Sequence, residues 1–81
     1  VNDAQFRLAS MYENGQGVPR DMEYADGWYS VAVHLGSNKA IAALDHAKSV
    51  MRDDELVQAD KLSRELIGKY GTVPESTSRA Q

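Results

Sequence analysis

Apolar residues recur along this chain at intervals of three and four, in four runs separated by short polar or glycine-bearing breaks. From about Asn2 to Glu13, the residues Ala4, Leu8, Met11 and Tyr12 fall on one face of a helix. From Asp21 to about Leu35 the same period is carried by Ala25, Trp28, Tyr29, Ala32 and Leu35, and Gly36 closes the run. From about Ser37 to Met51 it is carried by Ala40, Leu44, Ala47 and Met51, with Ile41, Ala43 and Val50 widening the apolar face. The last run starts at Asp53 or Asp54, places Leu56, Ala59, Leu62, Leu66, Ile67 and Tyr70 together, and ends at Gly71. The pattern predicts an all-α chain of four helices. Residues Thr72 to Gln81 are polar and without period, and are expected to form a disordered tail or linker.

The break between the first two runs is the most explicit local signal. Asn14-Gly15-Gln16-Gly17 supplies residues that tolerate left-handed backbone and a tight reversal, as the end of one helix requires. Pro19 drives Val18 out of helical geometry, so the chain takes an extended step. Asp21 then offers a carboxylate to the free N–H groups that open the second helix, and Asp21 and Glu23 both suit the positive end of its dipole. Ser37 or Asn38 caps the third helix. Gly27, inside the second, costs about 1 kcal/mol relative to alanine. Either a neighbour packs closely there or the glycine is a tolerated defect.

A repeat underlies the pattern. Ala4, Leu8 and Met11 realign on Ala40, Leu44 and Ala47, and Ala25, Trp28 and Ala32 realign on Ala59, Leu62 and Leu66, with two residues lost from the second turn. A helix pair repeated at this period points to a solenoid in which each hairpin buries its apolar face on the next. The third helix should then pack on the first two, with Trp28 between the first and third helices, and the fourth should close the stack. The ordered set Ala4, Leu8, Tyr12, Gly15, Gly17, Val18, Asp21, Ala25, Trp28, Tyr29, Ala32, Gly36 and Ala40 resembles the Sel-1-like repeat, a branch of the tetratricopeptide superfamily. Ala9 stands where that family usually has glycine. The second half departs from the pattern: Met51-Arg52-Asp53-Asp54-Glu55 replaces the two-glycine loop, and Leu62 and Ser63 stand for Trp28 and Tyr29. The expected organisation is one module over 1–71, with a repeat at 1–36 and a degenerate capping repeat at 37–71, followed by the tail at 72–81. The resemblance implies a right-handed superhelix of antiparallel helix pairs. It further implies an adaptor in protein complexes, often in bacterial signalling, envelope biogenesis or host contact.

Charge and composition narrow the function. The net charge is −3, and the basic residues are scattered among carboxylates instead of forming a stripe, so nucleic-acid binding has no electrostatic footprint. The chain has no cysteine, which removes disulfides, thiolate metal sites and cysteine nucleophiles. No apolar run approaches the roughly 20 residues that span a bilayer, and no signal peptide opens the chain. Because it opens on Val1, a fragment or processed product is expected, and the compartment, bacterial cytoplasm or periplasm, is left open. At eighty-one residues the core is small, and neighbours or partners would add to its stability.

Candidate chemistry gives way to structural readings. Gly15-Gln16-Gly17 follows a helix, not a strand, and lacks the lysine and hydroxyl of a phosphate-binding loop. Asp53-Asp54-Glu55 is a carboxylate run at a helix start, which capping and the dipole favour over a metal or acid–base role. His34 and His46 lie on different helices without a ligand constellation. Tyr12, Trp28 and Tyr29 sit at core period, whereas Phe6 falls off that face and calls for a reason. No catalytic residue, metal or cofactor is expected.

Two function classes remain. The favoured one is a protein-interaction scaffold, which needs a groove and no reactive centre. The second is an enzyme, or an accessory domain in an enzyme system, that acts on peptidoglycan or another glycan; a third reading is a packing-only segment of a longer solenoid. For a scaffold, the stripes Asp3, Phe6, Ser10, Glu13 and Lys39, Ala42, His46, Ser49 are expected to face away from the second helix and line a concave groove for a protein or peptide. Phe6 is the expected anchor, with Asp3, Glu13, Lys39 and His46 as a polar rim. Self-association through the open N-terminal end is also expected.

Overall fold

The computed structural model describes residues 3–71, with side chains from Ala4 onward; the expected start at Asn2, the side chain of Asp3 and the tail Thr72 to Gln81 lie outside the described residues. Four helices follow in order: α1 (Asp3–Asn14), α2 (Met22–His34), α3 (Asn38–Ser49) and α4 (Asp53–Tyr70). Among the described residues there is no strand.

The α1–α2 turn works as its sequence requires. Gly15 and Gly17 take φ of 70° and 79°, in the left-handed region that side chains resist. The carbonyls ending α1 are satisfied in succession: Met11 O accepts from Gln16 N at 3.0 Å and Tyr12 O from Asp21 N at 2.9 Å. Glu13 O accepts from Arg20 Nε at 3.0 Å. Asp21 caps α2 by accepting from Tyr24 N at 3.1 Å, and Ser37 caps α3 by accepting from Ala40 N at 3.3 Å. At α4 the expected cap moves. Arg52 holds the capping position, and the Glu55 carboxylate reaches back to its N–H at 2.9 Å. Asp54 instead lies against Arg52 at 3.3 Å, and that hydrogen bond holds its carboxyl below the ordinary value.

Helix α2 is the centre of the molecule, packed on α1, α3 and α4, while α3 and α4 scarcely touch. That is why a contiguous block of α2 is buried, Ala25 to Tyr29 with Val31 and Ala32, and not one stripe. Against α1, which runs antiparallel, Tyr24 meets Tyr12 edge-on with ring centres 4.6 Å apart and Tyr29 meets Phe6 at 5.5 Å. Against α4, which runs parallel, Asp26 meets Ser63 at 2.9 Å and Trp28 meets Tyr70 at 5.0 Å. Gly27 is a close-packing site: a Cβ there would lie 2.7 Å from Leu66 Cδ1 and 3.5 Å from Leu62 Cγ. The neighbour is a side chain of α4, and glycine lets that helix approach.

Four expectations change. Ala4 is exposed, and the fully buried residue of α1 is Ala9, at the position where the resembling family has glycine. Trp28 faces Tyr24 and α4 instead of sitting between α1 and α3. The third helix packs on α2 but scarcely on α1, and the fourth lies along α2. As a result Ile41, Val50 and Tyr70, which the period assigns to the core, are at least half exposed. The physical cause lies in the second pair: where Ala9 and Tyr12 seal α1 onto α2, the repeat places Asp45 and Lys48. These charges line an open cleft with Val33, Ile41, Ala42 and Leu44 and keep their water instead of packing on α4.

Candidate interaction groove

Helices α1 and α3 run parallel on the same side of α2, and two pairs of long side chains bridge them. Lys39 places its Nζ 4.9 Å from the centre of the Phe6 ring, a cation–π contact. One turn-pair further along, His46 Nε2 lies 3.7 Å from Glu13 Oε2, with His46 largely exposed and Glu13 mostly covered. Between these bridges the floor is Tyr29 of α2, which is 2% exposed. Its hydroxyl donates to Glu13 Oε1 at 2.5 Å and lies 3.2 Å from Ser10 Oγ. Burial, then donation to Glu13, pushes the Tyr29 hydroxyl up to about 12.

Of the residues anticipated as a groove, Phe6, Ser10, Glu13, Lys39 and His46 are brought together. Their orientation differs from the expectation. Phe6, Ser10 and Glu13 do not face away from α2: all three touch Tyr29. Ser49 sits at the end of α3 and donates to His46 O at 2.7 Å. Ala42 faces the cleft with Ile41 and Val33, and the side chain of Asp3 is outside the described residues. The residue missed is Tyr29. Its apolar ring places it at core period, but its hydroxyl is a buried polar group that needs partners, and Ser10 and Glu13, one turn apart on α1, are the groups able to supply them.

The arrangement holds one carboxylate bonded to a tyrosine and lying 3.7 Å from a histidine, beside an aromatic ring with a lysine ammonium over its face. Among the described residues no group of three or more His, Cys, Asp or Glu could hold a metal ion, and no helix is long and apolar enough to cross a membrane.

Comparison with known proteins bears on this geometry. The Sel1 repeat family model matches residues 2–37, the span of α1, the glycine turn and α2. The chitin synthase regulator SKT5 of Malassezia restricta is 35% identical over 60 residues, 74% of this chain. The chain spans only 4% of the length of that relative. No solved structure matches the chain significantly. The two-glycine turn, the Asp21 cap and the Trp28-Tyr29 pair are thus set in a helical-repeat fold of the kind that mediates protein–protein interaction: the chain carries a Sel1 repeat over residues 2–37.

Proposed function

We propose that this chain is a non-catalytic interaction scaffold within a larger protein, and that the α1/α3 groove holds a protein or peptide partner. The observation that carries the reading is the pairing across the groove: Phe6 with Lys39 and Glu13 with His46, over a Tyr29 floor. A half-buried aromatic with a polar rim is what dominates interfaces energetically. A glycosidase would need two carboxylates about 5–9.5 Å apart across a cleft. The groove contacts bring in one, Glu13, already bonded to Tyr29. The second pair, 37–71, serves in this reading as a degenerate terminal repeat that covers α2.

A second reading has one observation behind it. The Malassezia restricta relative is named as a regulator of chitin synthase, which favours an accessory role toward a glycan-acting enzyme over the bacterial signalling, envelope or host-contact settings that the resemblance also implies. Both are scaffold roles and share the same groove. The test is to introduce Phe6→Ala and Glu13→Lys separately, verify helicity by circular dichroism, and compare pull-downs from the native cell. Each variant is expected to lose the principal partner. If both keep every partner of the parent while folded, the groove is not the binding surface.

A further inference from the structure

Asp26 is a carboxylic acid in the wrong place for a charge. It is 1% exposed, it lies in the seam where α4 rests on α2, and its Oδ2 is buried with no hydrogen-bond partner. Its Oδ1 lies 2.9 Å from Ser63 Oγ. Ser63 Oγ in turn lies 2.7 Å from Ala59 O. A serine hydroxyl has one hydrogen, and both Ala59 O and an ionised Asp26 can only accept. With Asp26 charged, two acceptors therefore compete for the one hydrogen of Ser63. A proton on Asp26 Oδ1 ends that competition: Asp26 donates to Ser63 Oγ, and Ser63 donates to Ala59 O.

We infer that Asp26 is held as a neutral acid that donates its hydrogen to Ser63, and that this makes the seating of α4 on α2 sensitive to pH. No co-reactant is needed, since the proton is exchanged with water. The groups facing Asp26 are few. Ser63 and Asp60 come from α4, Lys48 from α3 and Ser30 from its own helix. Burial acts most strongly and raises the Asp26 carboxyl above its ordinary value; Ser63, Lys48 and Ser30 pull it down, and Asp60 pushes it up. Neighbouring contacts make the seam a good reporter. Gly27 admits Leu66 beside Asp26, and Trp28 stacks near Tyr70, so loosening of α4 changes Trp28 emission.

The sign follows from proton counting. The folded state holds the proton to a higher pH than the unfolded chain, whose aspartate releases it near about 3.9. The extra stability is complete below that value and is lost as pH rises through the folded-state value. The loss in the folding equilibrium constant is at most about tenfold per pH unit.

The experiment is urea unfolding of the full chain from about pH 3.5, near the unfolded value, to about pH 8, followed by Trp28 fluorescence, for the parent and for Asp26→Asn, which keeps a neutral donor and acceptor at the site. The difference between the two profiles is the quantity read, because it removes whatever is common to both chains. The parent is expected to lose stability with rising pH relative to the variant, which should be at least as stable at pH 8. Parallel profiles would overturn the inference. Carbon NMR of the Asp26 carboxyl gives an independent reading if the variant does not fold. A midpoint clearly above about 4 supports the neutral acid, and one at or below about 4 overturns it.

Discussion

Trp28→Ala is the substitution whose cost can be worked most directly from the structure. Trp28 is 7% exposed, it meets Tyr24 with ring centres 6.2 Å apart, and it lies against Tyr70 on α4 at 5.0 Å. Truncating a buried tryptophan costs about 3–5 kcal/mol, because the surrounding structure cannot collapse fully into the space. A chain of this length has a total stability of roughly 4–12 kcal/mol, at about 0.05–0.15 kcal/mol per residue. The loss is therefore between a quarter and all of it. Because about 1 kcal/mol shifts the melting temperature by about 4–8 °C in a domain this small, the variant should melt at least ~12 °C lower, and in the upper range it should lose its cooperative transition. Thermal unfolding followed at 222 nm reads both. Trp28→Phe is the informative companion: it keeps most of the ring and removes the Nε1 donor, which is buried without a partner, so its cost should be much smaller. A Trp28→Ala variant melting within a few degrees of the parent would refute the placement of Trp28 in the core.

Further predictions follow from the same packing. Gly68 on α4 is exposed with open space around it, so Gly68→Ala should stabilise by about 1 kcal/mol, whereas at Gly27 an added Cβ requires the tip of Leu66 to move, so Gly27→Ala should gain clearly less. Equal gains in urea midpoint for the two would contradict the α2–α4 seam. Tyr29→Phe removes the donor to Glu13 and should cost about 1.5–3 kcal/mol, the range for a hydrogen bond to a charged group; chemical denaturation measures it. Ultraviolet titration of the tyrosines should show one group ionising late, near about 12 and absent from Tyr29→Phe. Since the folded state keeps that proton above the unfolded value of 10.0, stability should fall as pH rises between about 10 and 12.

Local chemistry was legible in the chain where one residue type answers one backbone demand. Gly15 and Gly17 take the positive φ expected of them, and Asp21 and Ser37 cap the helices they precede. Legibility fell where a residue's environment depends on how many neighbours its helix has. A single amphipathic face presumes a single partner, but α2 has three, so Asp26, Gly27 and Val31 are buried outside the expected stripe. The converse happens on α3, whose apolar width at Ile41 and Val50 has no helix to cover it. Asp26 and Ser63 are distant in sequence, and only the register of α4 on α2 unites them. The groove was half legible. The period found both stripes, and the equal sequence separation of Phe6 from Lys39 and of Glu13 from His46 reflects two parallel helices in register. What the period does not encode is that a core tyrosine can also present a hydroxyl to the groove floor.

The claim that the groove is the working surface is tested most directly by site-specific photocrosslinking in the native cell. A photoreactive side chain at Lys39, on the groove rim, is compared with one at Val57, which is 64% exposed on α4 and outside the groove. A discrete partner crosslinked from position 39 and not from position 57 is the predicted result. The same partner captured from position 57, with nothing captured from position 39, would contradict the groove and move the binding surface to α4.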